Sequence, residues 1–161
     1  MRIFKVIEIH HKDPFDMESI AVIRDENTQI SLNVVINDHY VDSEPSHISG
    51  LYSKLEKGEY IQGELYLVLV SKTTPRGDTY FIQNRRITPD IGSPSFIGEF
   101  EIDSISNASM TVLKYPNSDM LLKLESDYNL NESSECLKTI ALRGELFLET
   151  IGYPNKEGVF K

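Results

Sequence analysis

A block of fourteen residues recurs in this chain without a gap. Ala21–Val34 and Thr111–Leu124 stand 90 positions apart, and the basic residue (Arg24, Lys114), the turn asparagine (Asn27, Asn117) and most flanking apolar positions coincide. Three shorter matches keep the same order. Ile7-Glu8-Ile9 matches Phe100-Glu101-Ile102 at an offset of 93, and Gly63-Glu64-Leu65-Tyr66-Leu67 matches Gly144-Glu145-Leu146-Phe147-Leu148 at 81. Pro75, Tyr80 and Phe81 match Pro154, Val159 and Phe160 at 79. Blocks that recur in order between loops of different length read as a duplicated unit, which has to bury its apolar faces the same way twice. The seam falls in Thr88–Ser95, rich in Pro, Gly and Ser. The expected organisation is a first β unit over 1–88, a linker over 89–95 and a second β unit over 96–161. Units of this size sit near the lower limit for a core of their own, so the second is expected to pack on the first.

Each copy reads mostly as strand. Phe4–Ile9 alternates apolar and polar residues, with a break at Val6-Ile7. Ile20–Arg24 and Gln29–Ile36 are rich in β-branched residues and flank Asp25-Glu26-Asn27-Thr28, a hairpin turn in which Asn27 is able to take the positive φ a tight turn needs. Tyr60–Ser71 is a long strand, and Thr79–Gln83 follows a turn at Pro75-Arg76-Gly77-Asp78. Between the third and fourth strands, Ser43, Glu44 and Pro45 are helix start signals. Ile48, Leu51, Tyr52 and Leu55 then recur at helical spacing until Gly58. Asn131–Lys138 is a shorter candidate helix in the second copy. The fold class is therefore all-β with one or two short helices.

Three meandering strands, a helix and two more strands, with Leu55, Gly58 and Gly63 leading into the fourth strand, resemble an OB-fold barrel. In the second copy Leu142 and Gly144 persist, while Thr139-Ile140 stands in place of the first glycine region. The resemblance implies a duplicated five-stranded OB-like barrel. The same pattern admits a single β-sandwich with one sheet from each half.

Charge narrows the choice of partner. The formal net charge is −9. It is spread over both halves, with ten basic against fourteen acidic residues in 1–90 and six against eleven in 91–161, giving −4 and −5. That sign suits a cationic partner and opposes a broad grip on phosphates. The single cysteine, Cys136, sits beside Glu132 and Glu135, a setting that disfavours a thiolate nucleophile. The longest apolar run, Leu65–Val70, is far too short to span a membrane, and the first residues lack a signal-peptide core, so a cytoplasmic location without a membrane partner is expected.

Candidate chemistry is sparse. His10 and His11 would point to opposite faces of a strand, and His39 and His47 lie in another loop, so no metal site is expected. Arg76-Gly77-Asp78 reads as a wet turn rather than an adhesion motif. No phosphate-binding loop, nucleophile elbow or cofactor motif is present in the sequence, so neither catalysis nor a cofactor is expected. Two acidic loops do recur between the third strand and the helix of each copy: Asp38, Asp42 and Glu44, then Asp127, Glu132 and Glu135. Carboxylates displayed by loops on a rigid β scaffold suit the docking of a basic protein. In overall character the chain resembles bacterial toxin-immunity proteins, which implies neutralisation of a basic, nuclease-type toxin by covering its active face. The alternative is a tandem OB-like module that binds single-stranded nucleic acid through Lys72, Arg76, Tyr80, Arg85 and Arg86, or serves as an assembly adaptor.

Overall fold

Period-two alternation leaves every strand of this chain one face to bury. The computed structural model describes residues 2–13, 18–37, 56–83, 86–88, 91–106, 110–124 and 138–152. In chain order the strands are β1 (Arg2–Asp13), β2 (Glu18–Asp25), β3 (Ser31–Asn37), β4 (Tyr60–Lys72), β5 (Tyr80–Ile82) and β6 (Arg86–Thr88). They continue with β7 (Ile91–Gly92), β8 (Ser95–Ser106), β9 (Met110–Lys114), β10 (Leu121–Leu124) and β11 (Thr139–Gly152). The described residues are all-β and contain no helix. The helix expected over 43–55 lies outside them, and the one over 131–138 reaches them only at Lys138.

Nine strands form one sheet in the order β1-β2-β3-β11-β4-β10-β9-β8-β5, and β6 pairs with β7. Two further pairings, β1–β4 and β11–β8, close the strands into cycles. One runs β1-β2-β3-β11-β4 and returns to β1; the other runs β8-β9-β10-β4-β11 and returns to β8. Both use β4 and β11, the two longest strands. Along its outer edge β4 carries antiparallel β1 over Tyr60–Gly63 and then parallel β10 at Tyr66 and Leu67. Likewise β11 carries antiparallel β8 over Thr139–Glu145 and then parallel β3 over Phe147–Glu149.

The register of the central pair reproduces the sequence offset. Leu65 lies opposite Leu148, Tyr66 opposite Phe147 and Leu67 opposite Leu146. Moving each residue by 81 positions maps this set of pairs onto itself, with Tyr66–Phe147 at the centre. Irregularities obey the same rule: Leu69 and Val70 stand against Gly144, and Ile151 is the extra residue where Gly63 and Gln62 pair with Thr150 and Gly152. The repeated glycine is required by close approach. A Cβ on Gly63 would overlap the Glu149 carbonyl oxygen, and one on Gly144 would lie 2.6 Å from that of Val68.

One match in the sequence is out of step. Lys5, Val6 and Glu8 pair with Arg24, Ile23 and Val22, whereas Glu101, Ile102 and Ser104 pair with Lys114, Leu113 and Val112. With β2 and β9 90 residues apart, β1 and β8 correspond at 96 rather than 93. A slip of three is odd and would turn every buried residue outward. At 96, Phe4 falls on Phe100, both fully buried, and the bulge after Val6 falls on the bulge after Ile102. The break in alternation at Val6-Ile7 is that bulge.

The two hairpins close alike and turn differently. The Asp25 N–H donates to the Ile30 carbonyl (2.9 Å), and the Tyr115 N–H to that of Met120 (2.8 Å). Positive φ falls on Gln29 (63°) in the first turn, not on Asn27, and on Asn117 (58°) in the second. The reason is Asp25. Its carboxylate accepts the Thr28 N–H and hydroxyl (2.8 and 2.6 Å), and its carbonyl accepts the Gln29 N–H (2.8 Å), so the chain makes a helix-like turn before reversing.

Asp25 also anchors the chain start. Its side chain is 1% exposed and accepts Arg2 Nε and Nη2, each at 2.9 Å, while Arg2 Nη2 reaches Asp119 at 3.3 Å. Burial pushes the Asp25 carboxyl up, but the Arg2 and Thr28 hydrogen bonds outweigh it and hold the pKa below the ordinary value. The inward faces build one contiguous core from Phe4, Ile23, Ile61, Leu67, Phe100, Leu122, Leu146 and their neighbours. Phe81 on β5 joins it, stacked on Phe96 (5.5 Å between centroids) and tilted against Tyr115 (5.0 Å). Where β8 and β3 part along β11, the Gln83 carboxamide binds the Asn33 backbone on both sides (3.0 and 2.7 Å) and donates to the Pro94 carbonyl (3.0 Å). That carbonyl also accepts the Leu146 N–H (3.0 Å).

Arg2→Ala is expected to lower unfolding free energy by about 3 kcal/mol, because it strips a buried carboxylate of its cation. The lowered Asp25 pKa fixes the sign of the pH effect. The ion pair contributes fully above the ordinary aspartate value near pH 4, and that contribution is lost as pH falls from there through the folded-state value. Urea unfolding between about pH 2 and 6 should therefore show a shallower acid limb in Asp25→Asn than in the parent. Gly144→Ala should cost more than the roughly 1 kcal/mol typical of a point substitution, since two backbones must separate.

Candidate functional site

The alternation that buries Leu65, Leu67, Leu146 and Leu148 turns Glu64, Tyr66, Glu145, Phe147 and Glu149 outward. Across four strands Lys123, Tyr66, Phe147 and Val35 lie in one register row. In the next row Glu64 stands directly opposite Glu149, and on the other side Glu145 stands opposite Val68. The middle of the large sheet thus presents two half-buried aromatic rings with three carboxylates around them. Lys123 Nζ binds Glu64 Oε2 at 2.6 Å and lies 5.7 Å from the Tyr66 ring centroid, and the Tyr66 hydroxyl donates to the same oxygen at 3.4 Å.

The charges act on one another. The Tyr66 pKa is raised, first by burial and further by the fields of Glu149 and Glu64, against the opposing pull of Lys123. The Lys123 ammonium is held above its usual value by its hydrogen bond to Glu64, with Glu149 adding to the field. Glu149 itself is exposed. Like charges directly opposite each other weaken a sheet, and Lys123 offsets part of that cost for this pair. None of the five outward residues stood out in the sequence by chemistry. The signal was the Gly-Glu-Leu-aromatic-Leu repeat, whose two copies meet as partners on β4 and β11.

The residues expected to form a basic patch are partly assembled. The Arg76 guanidinium stacks on the Tyr80 ring, 4.3 Å from its centroid, and exposed Lys72 lies opposite Leu142 at the end of β4. Phe81 turns into the aromatic core. The turn at Arg76-Gly77 is tied to an acid: the buried Glu99 carboxylate accepts the Arg76 and Gly77 N–H groups at 2.7 and 3.2 Å. Stacking on Arg76 occupies one face of Tyr80, which disfavours a base there, and Glu99, opposite Tyr80 in the sheet, adds negative charge that disfavours a phosphate. Arg86 is in β6, paired with Gly92. Arg85 lies outside the described residues, as do the loop carboxylates Asp38, Asp42, Glu44, Asp127, Glu132 and Glu135, and Cys136. Among the described residues no group of three or more His, Cys, Asp or Glu side chains is placed to hold a metal ion, and no helix is long and apolar enough to cross a membrane.

Compared with protein-family models, with curated proteins and with solved structures, the chain finds no match in any of the three.

Replacing Glu149 by Gln removes one of the two facing carboxylates. Unfolding free energy is expected to rise by about 0.5 kcal/mol at low ionic strength, with the gain shrinking as salt approaches about 1 M. Urea titrations at two salt concentrations measure both effects.

Proposed function

We propose that this chain is a non-enzymatic binding protein of the toxin-immunity kind, which docks a basic, nuclease-type protein and occludes its active face. The observation that carries the reading is the central face, where Glu64, Glu145 and Glu149 surround Tyr66 and Phe147. Interfaces concentrate energy in aromatic anchors ringed by polar residues, and three carboxylates with Lys123 as their bonded cation leave negative charge on this face for a basic partner. A net charge of −9 would steer such a partner from a distance. In this reading the loop carboxylates Asp38, Asp42 and Glu44, and Asp127, Glu132 and Glu135, extend the same sign around the partner.

For the architecture we infer a duplicated OB-like unit, each copy a meander of three strands completed by two more. The closed cycles, the shared 81-residue offset of β4 and β11 and the matching bulges support it. In this reading each barrel takes its fifth strand from the other copy.

The test is capture by the full chain from its own cells. The expected product is a strongly basic protein whose nuclease activity falls when the chain is added in equal amount. Glu145→Lys with Glu149→Lys should weaken that complex by about tenfold or more. Micromolar or tighter binding of single-stranded DNA or RNA at about 0.1 M salt, falling steeply as salt rises, would overturn the reading in favour of a nucleic-acid module.

A further inference from the structure

Along β11 the outward residues continue past the central face to Arg143. There the surface sinks into a groove of about 520 Å³. Its floor is a register row across four strands: Ser71 on β4, Arg143 on β11, Ile97 on β8 and Ile82 on β5. Glu145 closes the end nearest Phe147, and Arg143 Nε donates to Ser71 Oγ (3.1 Å) at the other. Leu69 lines the side.

Leu69 is out of place by every folding criterion. It is 73% exposed, the most exposed large hydrophobic residue among those described, and its φ is 53°. It is the first residue of a two-residue bulge opposite Gly144, a position whose left-handed backbone is ordinarily taken by glycine. A leucine side chain 73% exposed gains little there from burial and strains the backbone, so it is explained by what it presents to solvent.

We propose that this groove seats an extended segment of the basic partner, with one aliphatic side chain held among Leu69, Ile82 and Ile97 and a neighbouring lysine or arginine on Glu145. The proposal rests on the basic-partner reading and specifies which part of the partner binds where. Charge selects the occupant at the Glu145 end, since Glu145 belongs to both the groove and the central face and exposed Glu149 continues the same sign beyond it, whereas Arg143 balances the charge within the groove. Arg143, held by Ser71, offers its remaining N–H groups to a backbone carbonyl at the far end. The groove and the aromatic pair then form one path along β11.

Because the chain contains no tryptophan, a short peptide of alternating arginine and leucine that carries one tryptophan reports its own binding by fluorescence. A control peptide has serine in place of leucine. The leucine peptide is expected to bind about tenfold more tightly than the control, as burial of an aliphatic side chain implies. Leu69→Gly and Leu69→Asn should each abolish that preference without lowering the melting temperature, since both residues tolerate the left-handed backbone. Glu145→Lys should weaken both peptides. Equal binding of the two peptides to the parent protein overturns the groove assignment, as does a preference that survives both Leu69 substitutions. A fall in melting temperature in both variants removes its premise. In any of these cases the basic-partner reading stands so long as Glu145→Lys still weakens both peptides, whereas binding of neither peptide to the parent counts against both.

Discussion

The antiparallel pairing of β4 with β11 is the constraint from which the rest of the molecule follows. Each strand is hydrogen-bonded to the other along one edge and shares its second edge between two further strands, one from each half of the sequence. Backbone groups in a buried sheet have to be paired, so four more strands are held in place by these two. Their closeness depends on Gly63 and Gly144, whose missing side chains leave room for the carbonyls of Glu149 and Val68. Where the shared edges change partner, other groups fill the gap, as the Gln83 carboxamide and the Pro94 carbonyl do between β8 and β3.

The same two strands supply core and surface together. Leucines at alternate positions go inward and leave the intervening glutamates and aromatic rings on the outer face, so no residue of the Gly-Glu-Leu-aromatic-Leu block lacks a place. Two features are costly to folding, and both lie on this face: carboxylates set directly opposite one another and only partly offset by Lys123, and a leucine with a left-handed backbone in the solvent. Natural sequences depart from local rules chiefly where function demands it. That coincidence is why the outer face of β4 and β11, rather than the larger charge of the whole molecule, is the candidate site.

Much of this was legible in the sequence. Tyr60–Ser71 was readable as a strand nearly to the residue, because its aromatic and aliphatic run lies between Gly58 and the turn at Pro75. The first hairpin was readable from its β-branched flanks, and the second from its match to the first. The turn residue was not, because the Asp25 carboxylate moves the positive φ from Asn27 to Gln29 and depends on Arg2, distant in sequence. The 93-residue match failed because three-residue strand fragments resemble one another in any register; only the partner strands distinguish 93 from 96. The outward face was hidden for a related reason. Glu64 and Glu149 are ordinary polar positions until β4 and β11 lie side by side, and nothing local announces that residues 64 and 149 are neighbours.

The sharing of β4 and β11 also sets an order of events during synthesis. The first cycle needs residues 147–149 beside β3 and residues 142–152 beside β4, so it cannot close until almost all of the described chain has left the ribosome. Until then β3 and β4 wait with open edges, across a loop whose closure grows costly with length. Contacts of such long sequence separation predict slow folding and a nascent chain prone to pairing with its neighbours. Abundant charge on the emerging segments is one protection against that pairing.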